Sequence, residues 1–288
     1  IDYLRGVVMM IMLLDHTRDF VHAGATQFDP TDLSKTNVAL FLTRWITHFC
    51  APIFVFLAGT SIFLQKLNGK SNADLSRFLW TRGLWLVILE FTVVRFGVTF
   101  NLDYSFFGMA QVIWVIGVSM IIMAAFIYLP VKIVGAFGVA MIVLHNLLDR
   151  FQIPPEIAFG GTPPPDLSQI LCLILHQQGA VPITGSSNVF VLYPLIPWVG
   201  VMAAGYAFGT IYTKEREQRG KWLILGGSVA TLLFIVIRLT NIYGDPSAWS
   251  TQDTPAFTFL SFLNTTKSAV TFVLIDDARS GVYRSGFD

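Results

Sequence analysis

Long apolar stretches alternate along the chain with short polar or Gly-Pro-rich breaks. A helix needs about 20 consecutive apolar residues to cross the hydrocarbon core of a bilayer. The pattern predicts such spans at 3–21, 39–64, 78–98, 108–129, 131–148, 189–212 and 222–240. An eighth, 256–275, is interrupted by Asn264 and Lys267. The stretch PPEIAFGGTPPP, residues 154–165, cannot sustain a helix and reads as a long loop. Residues 170–176 are apolar but too short to span, so they are expected at the interface or in a re-entrant turn. The expected fold is an all-α polytopic membrane bundle of seven to eight transmembrane helices. One domain covers 1–275, and 276–288 form a polar tail, disordered or the product of truncation or a frame shift. No internal repeat is evident, which weighs against inverted-repeat transporter folds.

Composition narrows the class. Of the 288 residues, 54% are hydrophobic and only 13% charged, against about 25% charged in soluble domains. A mean hydropathy of +0.63 is too apolar for a soluble enzyme. A net charge of +1, with no basic block beyond the short run 214–221, leaves no nucleic-acid surface and no disordered polyelectrolyte. Cys50 and Cys172 lie in apolar runs without metal-ligand spacing.

Basic residues orient the bundle, because they concentrate in cytoplasmic loops. Lys66, Lys70, Arg77, Arg82, Lys132, Lys214, Arg216, Arg219 and Lys221 fall on one side, nine against the two (Lys35 and Arg150) opposite. The amino-terminal end is therefore expected in the cytoplasm. Loops 22–38, 99–107, 149–188 and 241–255 are expected outside, in a multi-pass membrane protein.

Ionisable groups inside a span cost a few kcal/mol each and point to function. The first span carries Arg5, Asp15, His16, Arg18 and Asp19, with His22 just beyond it. Arg5 and His16 are eleven residues apart, a residual of only about 20° after three turns and about 16 Å along the axis. They share one face, Arg5 inward and His16 in the outer half. Asp15 can hold an imidazole from a neighbouring helix or join Arg18 and Asp19 in an ion network. Arg44 and His48 stand at i and i+4 on the second span, and His145 and Asn146 close the fifth. On this topology every histidine, His176 included, lies on the outer side. Bland readings stand beside these. Arg18, Arg44 and Arg238 near outer helix ends read as snorkelling side chains, Asp15–Arg18 as a structural pair, and Glu90–Arg95 as an internal pair.

Imidazole beside a carboxylate suits general base catalysis. It would take a proton from a hydroxyl or amine attacking an activated carbonyl. Basic side chains at the cytoplasmic mouth (Arg5, Lys66, Lys70, Arg82) suit the phosphates of a coenzyme A thioester. No Gly-rich phosphate loop is present. Two other classes compete: a proton-coupled transporter using Asp15, His16 and Asp19 as a relay, and a haem or metal protein ligated by His16 with His48 or His145.

Several stretches resemble a known family. They are IDYLRGVVMMIMLLDHTRDF at the start, TRWITHFCAPIFVFLAGTSIFL (43–64), AQVIWVIGVSMIIMAAFIYLP (110–130), HNLLD (145–149), LYPLIPWVGVMAAGYAFG (192–209) and FLNTTK (262–267). They are similar to bacterial membrane proteins related to the catalytic domain of heparan-alpha-glucosaminide N-acetyltransferase. That family belongs to a transmembrane acyltransferase superfamily that includes acyltransferase family 3. The resemblance covers residues 1 to about 267. It implies transfer of an acyl group, with acetyl as the expected species, from cytoplasmic acyl-coenzyme A to an extracytoplasmic sugar amine or hydroxyl. Arg5 and His16 match the Arg-(ten residues)-His spacing of acyltransferase family 3. The lysosomal enzyme's catalytic His lies between its first two spans, where this chain offers His22 and, at the end of that region, His48. Gln111 resembles the Gln of a Leu-Gln-Arg motif, with Val112 in place of Arg. The lack of an initial Met and the departure after Lys267 are expected of a truncated or frame-shifted product.

The site expected on these grounds has His16, Asp15 and His48 as catalytic groups. Arg5 and Gln111 bind the donor, and His22, Arg44, His145 and Asn146 shape the acceptor end. No metal and no tightly bound cofactor is expected; acyl-coenzyme A is a co-substrate. The other partners are the lipid bilayer, a carbohydrate or other small acceptor and, as an open option, a second copy in a homodimer.

Overall fold

The computed structural model describes residues 1–22, 27–104, 106–184, 187–241 and 248–264. The described chain is predominantly helical and groups into two compact units. The first comprises residues 1–53 together with the segment from 216 onward; the second comprises 54–215.

In the first unit α1 (Asp2–Val21) packs on α2 (Val38–Thr47). Asn37 starts α2: its side chain accepts a hydrogen bond from the Leu40 amide at 3.0 Å, satisfying an otherwise orphaned donor of the first turn. The helical path continues through α3 (Cys50–Leu67), whose first residues belong to this unit.

In the second unit α4 (Asn72–Leu89) is capped by Ser71 and runs into a π-helical turn, Glu90–Val94, and then α5 (Arg95–Thr99). Strand β1 (Phe106–Ala110) precedes α6 (Val112–Phe126). Pro130 sets the start of α7 (Val131–Leu144), extended by a 3-10 turn over His145–Arg150. The connection that follows holds α8 (Pro155–Ala158) and α9 (Leu167–Leu175), the latter started by a reciprocal Asp166–Gln169 capping box. Strands β2 (Gly179–Thr184) and β3 (Ser187–Val191) follow, then α10 (Leu195–Phe208) and a 3-10 turn to Thr213.

The chain then returns to the first unit through α11 (Arg216–Thr240) and α12 (Pro255–Leu263). Phe41 of α2 packs with Leu260 and Leu263 of α12, flanked by Trp45 and Phe262.

The core of the second unit is built by α4 against α6 and α7 against α10. Close approach is made possible by small residues, as is common between membrane helices. A Cβ on Gly83 would lie 2.5 Å from the Gly117 carbonyl oxygen, and one on Gly205 would lie 2.1 Å from that of Phe56.

Three expectations are corrected. Four helical stretches among the described residues are long and apolar enough to span, not seven to eight: Val38–Leu67, Val131–Arg150, Leu195–Thr213 and Arg216–Thr240. α6 is apolar but only 15 residues long. α1 and α4 carry many charges, and the described part of α12 has nine residues. The fold is also not purely α. A three-stranded sheet, order β1-β3-β2, pairs β1 with β3 in parallel and β2 with β3 antiparallel. Val189 and Val191 enter the main core, while Phe190, on the alternate face, meets Phe159 at 5.8 Å between ring centroids. The proline-rich stretch contains a one-turn helix, α8, where only loop was expected. The tail 276–288, and most of the eighth expected span, lie outside the described residues.

Candidate functional site

Asp15 is the hub of the first unit. It lies on α1 with its side chain 18% exposed. Arg18, one turn on, places Nη2 2.6 Å from Oδ1, and Arg44 of α2 places Nη1 2.7 Å from Oδ2. The Thr47 hydroxyl donates to Oδ1 at 2.8 Å. Both carboxylate oxygens are thereby engaged by charge-assisted or hydroxyl donors, which stitches α1 to α2. Arg18 and Arg44 therefore turn inward to a carboxylate, not outward to head groups.

His48 continues this cluster. Its Nδ1 lies 2.9 Å from the Arg44 carbonyl oxygen. A carbonyl only accepts, so Nδ1 carries the proton and Nε2 the basic lone pair. No hydrogen bond to Nε2 occurs among the described residues, and the ring is half-buried. Thr47, Arg44 and His48 thus form one unit: a carbonyl orients the imidazole, while the guanidinium of the same residue is held by Asp15. Thr47 was missed in sequence; its position three residues after Arg44 was the available signal.

The other expected residues fall elsewhere. His16 is exposed on α1 and makes no hydrogen bond among the described residues. His22 caps the end of α1, its backbone N–H donating to the Arg18 carbonyl at 2.9 Å, with its side chain exposed. Arg5 pairs with Asp2 at 3.0 Å. The side chain of Asp19 lies outside the described residues.

Gln111 occupies the position before α6 with no side-chain cap bond. That task falls to Glu90. Almost fully buried, it accepts the Trp114 amide at 2.8 Å and so places a carboxylate at the positive end of α6. Arg95 turns to other partners, the carbonyl of Asn101 at 2.5 Å, that of Asp103, and the face of Tyr104 at 4.0 Å. The expected Glu90–Arg95 pair is replaced by these two separate arrangements.

In the second unit, His145 is also oriented by a carbonyl, Nδ1 to Ile142 at 2.7 Å. Asn146 donates to Asp149 Oδ2 at 3.1 Å, and the other oxygen of Asp149 faces His176 Nε2 at 2.9 Å. This group ties the end of α7 to α9. Lys66, expected at the cytoplasmic mouth, donates to the Ile127 carbonyl at 3.0 Å and so covers the end of α6. Among the described residues, no three His, Cys, Asp or Glu side chains gather as metal ligands.

Arg238 is likewise not a snorkelling side chain. Buried on α11, it donates to the carbonyls of Ser261, Phe262 and Asn264 at 3.0, 2.9 and 2.6 Å, and Trp45 takes that of Leu263 at 3.1 Å. These are the carbonyls a helix leaves open at its end.

No curated protein and no solved structure matches this chain. A family model does. Its description is heparan-alpha-glucosaminide N-acetyltransferase, catalytic, and it matches residues 1–243. The matched region takes in α1 with Asp15, α2 with Arg44 and His48, and every element of the second unit. The chain is a multi-pass membrane protein of acyltransferase type and belongs to the family of heparan-alpha-glucosaminide N-acetyltransferase catalytic domains.

Proposed function

We propose that the protein transfers an acyl group, acetyl in the simplest case, from cytoplasmic acyl-coenzyme A to a sugar amine or hydroxyl on the other side of the membrane. The observation that carries the chemistry is His48. Its tautomer is fixed by the Arg44 carbonyl, and Nε2 is left as the base beside a cluster that holds its orienting residue in place.

In this reading Nε2 removes the proton from the acceptor nitrogen or oxygen as it attacks the thioester carbonyl. The new acyl bond forms, the carbon–sulfur bond breaks, and the proton passes to the departing thiolate. Arg44 and Asp15 are positioning residues. Arg5 serves the donor and His22 the acceptor end. The amino-terminal end lies in the cytoplasm of a bacterium.

The test is transfer of radiolabelled acetyl from acetyl-coenzyme A to glucosamine by purified protein in lipid vesicles. His48→Ala should lower kcat by a factor of about 100 or more, within the usual range for a general base, with folding preserved. An unchanged kcat would refute the assignment. His16→Ala and His22→Ala in the same assay decide whether either imidazole of α1 carries that role instead. Loss of coenzyme A competition in Arg5→Ala tests the donor end.

A further inference from the structure

In the second unit, α9 is apolar on two opposite faces. Leu173 is fully buried and packs with Ile153 and Ala158 in a small core of their own. Leu167, Leu171 and Leu175 recur every four residues and stay 73%, 50% and 38% exposed. At 100° per residue, Leu171 stands about 160° around the helix from Leu173, so the exposed stripe is turned away from that core. A helix in water would carry polar side chains on this face.

Three ties fix where α9 sits. His176 Nε2 lies 2.9 Å from Asp149 Oδ1. The Cys172 thiol donates to the Phe151 carbonyl at 3.6 Å. The Gln177 side chain accepts from the Ile153 amide at 2.7 Å and donates to the Ile153 carbonyl at 3.0 Å. All these partners lie within residues 149–153, where the spanning stretch Val131–Arg150 ends. Its 20 residues extend about 30 Å, the thickness of the hydrocarbon core. The end away from Lys132 therefore stands at a membrane surface, and the ties hold α9 at that level.

The wall of α7 that leads to this end is also exposed and apolar. Val139, Val143, Leu147 and Phe151 recur every four residues along it. Exposed on a span, such a wall faces acyl chains. Arg150, its guanidinium 5.4 Å from the Phe151 ring, supplies the basic side chain that anchors a span at head-group level. The α9 leucines continue the apolar surface past that point.

We propose that α9 is an interfacial helix, lying along the leaflet at which α7 ends, with Leu167, Leu171 and Leu175 set among the upper acyl segments of phospholipids. A re-entrant course would carry the exposed carboxyl of Asp166 into hydrocarbon; a helix along the surface leaves it in water. A second copy is a poorer occupant. Three partly exposed leucines offer well under the about 800 Å² per partner of a stable protein interface, whereas a bilayer covers α9 and the α7 wall as one surface. This seat is independent of the acyl-transfer reading.

The test measures depth in vesicles of phosphatidylcholine and phosphatidylglycerol. In a Cys50→Ser, Cys172→Ser background, Leu171→Cys, Val139→Cys and Glu156→Cys each carry a nitroxide, on side chains that are exposed. Collisions with oxygen and with a nickel chelate report the position of each label. The label at 171 should lie about 5–10 Å below the phosphates, between a deep label at 139 and an aqueous one at 156. A label at 171 as open to the chelate as that at 156 refutes the seat. So does a spectrum broadened by a neighbouring label and relieved by unlabelled protein, which would give the face to another copy. Because Cys172 is itself a tie of α9, a second measurement keeps both cysteines. Benzoylphenylalanine in place of Leu171 should photo-cross-link to phospholipid; an adduct with another chain, or no adduct, overturns the proposal.

Discussion

Replacing Asp15 by Asn removes the charge on which Arg18 and Arg44 converge and leaves the size of the side chain unchanged. Two guanidiniums, at 2.6 and 2.7 Å from the carboxylate, then face a neutral amide that can still accept from Thr47. Removing one partner of a fully buried ion pair costs about 3–5 kcal/mol, chiefly because the remaining charge is stranded. Here the three side chains keep 11–18% exposure, which admits some water, so the expected loss is about 2–4 kcal/mol. At about 2–4 °C per kcal/mol for chains of this size, Tm should fall by on the order of 10 °C. Dye labelling of the Cys50 thiol reports the melt, since it is buried and donates to the Val8 carbonyl of α1 until that helix separates. A double-mutant cycle with Arg44→Gln isolates the pair. The triple change Asp15→Leu, Arg18→Met, Arg44→Met should recover most of the stability, because apolar replacement of an entire ion cluster is often neutral. On the proposed reading, acyl transfer should be lost in both proteins, since the side-chain tie that fixes Arg44 and its carbonyl is gone. An Asp15→Asn protein melting within about 1 °C of the parent, or additive effects in the cycle, would refute the hub role.

Other consequences are more local. Glu90→Ala should destabilise the second unit by about 1–3 kcal/mol, as the amides at the start of α6 lose a buried acceptor; Glu90→Gln should recover part of it, both read as Tm. Gly205→Ala drives a Cβ against the Phe56 carbonyl and should cost about 1–3 kcal/mol or more, seen as a lower Tm or lost expression. Arg238→Lys keeps the charge but not the fork that spans three carbonyls, so proteolysis after residue 241 should accelerate. The Asp166 carboxyl, at the start of α9, is held below its ordinary 3.8 by the Ser168 hydroxyl and the Gln169 amide. Because the folded carboxyl ionises at lower pH than the unfolded one, its stabilisation is present above about pH 4 and fades as pH falls through the folded value. A carbon-13 titration of Asp166 with a midpoint at or above 3.8 would contradict this.

The helices were legible because apolar runs in this chain end at groups that must end them. Pro130 and Pro194 precede α7 and α10, and Asn37, Ser71, Asp166 and Thr254 accept first-turn amides or stand at the cap. The sheet was not legible. Phe106–Ala110 and Ser187–Val191 lead almost directly into apolar helices, and a strand covered on both faces lacks the alternation that marks a half-exposed one. Hydropathy therefore absorbed both strands into the spans that follow. Of the site, Asp15, Arg44 and His48 were legible from charge within a span and from i, i+4 spacing. Which imidazole is oriented was not, because that depends on a backbone carbonyl, and carbonyls leave no mark in a sequence.

Three charge systems on the described helices, centred on Glu90, Arg238 and Asp15, differ in what they bind, and the difference bears on the role proposed for His48. Glu90 lies at the amino end of α6 and Arg238 at the carboxyl end of α12, each opposite the partial charge a helix leaves there. Both bind backbone groups, which fixes helix ends. Asp15 instead binds side chains, and one of those, Arg44, lends its own carbonyl to an imidazole. The chain from carboxylate to guanidinium to carbonyl to His48 thus ends on a nitrogen lone pair. That lone pair is the group the proposed acyl transfer would use as its base.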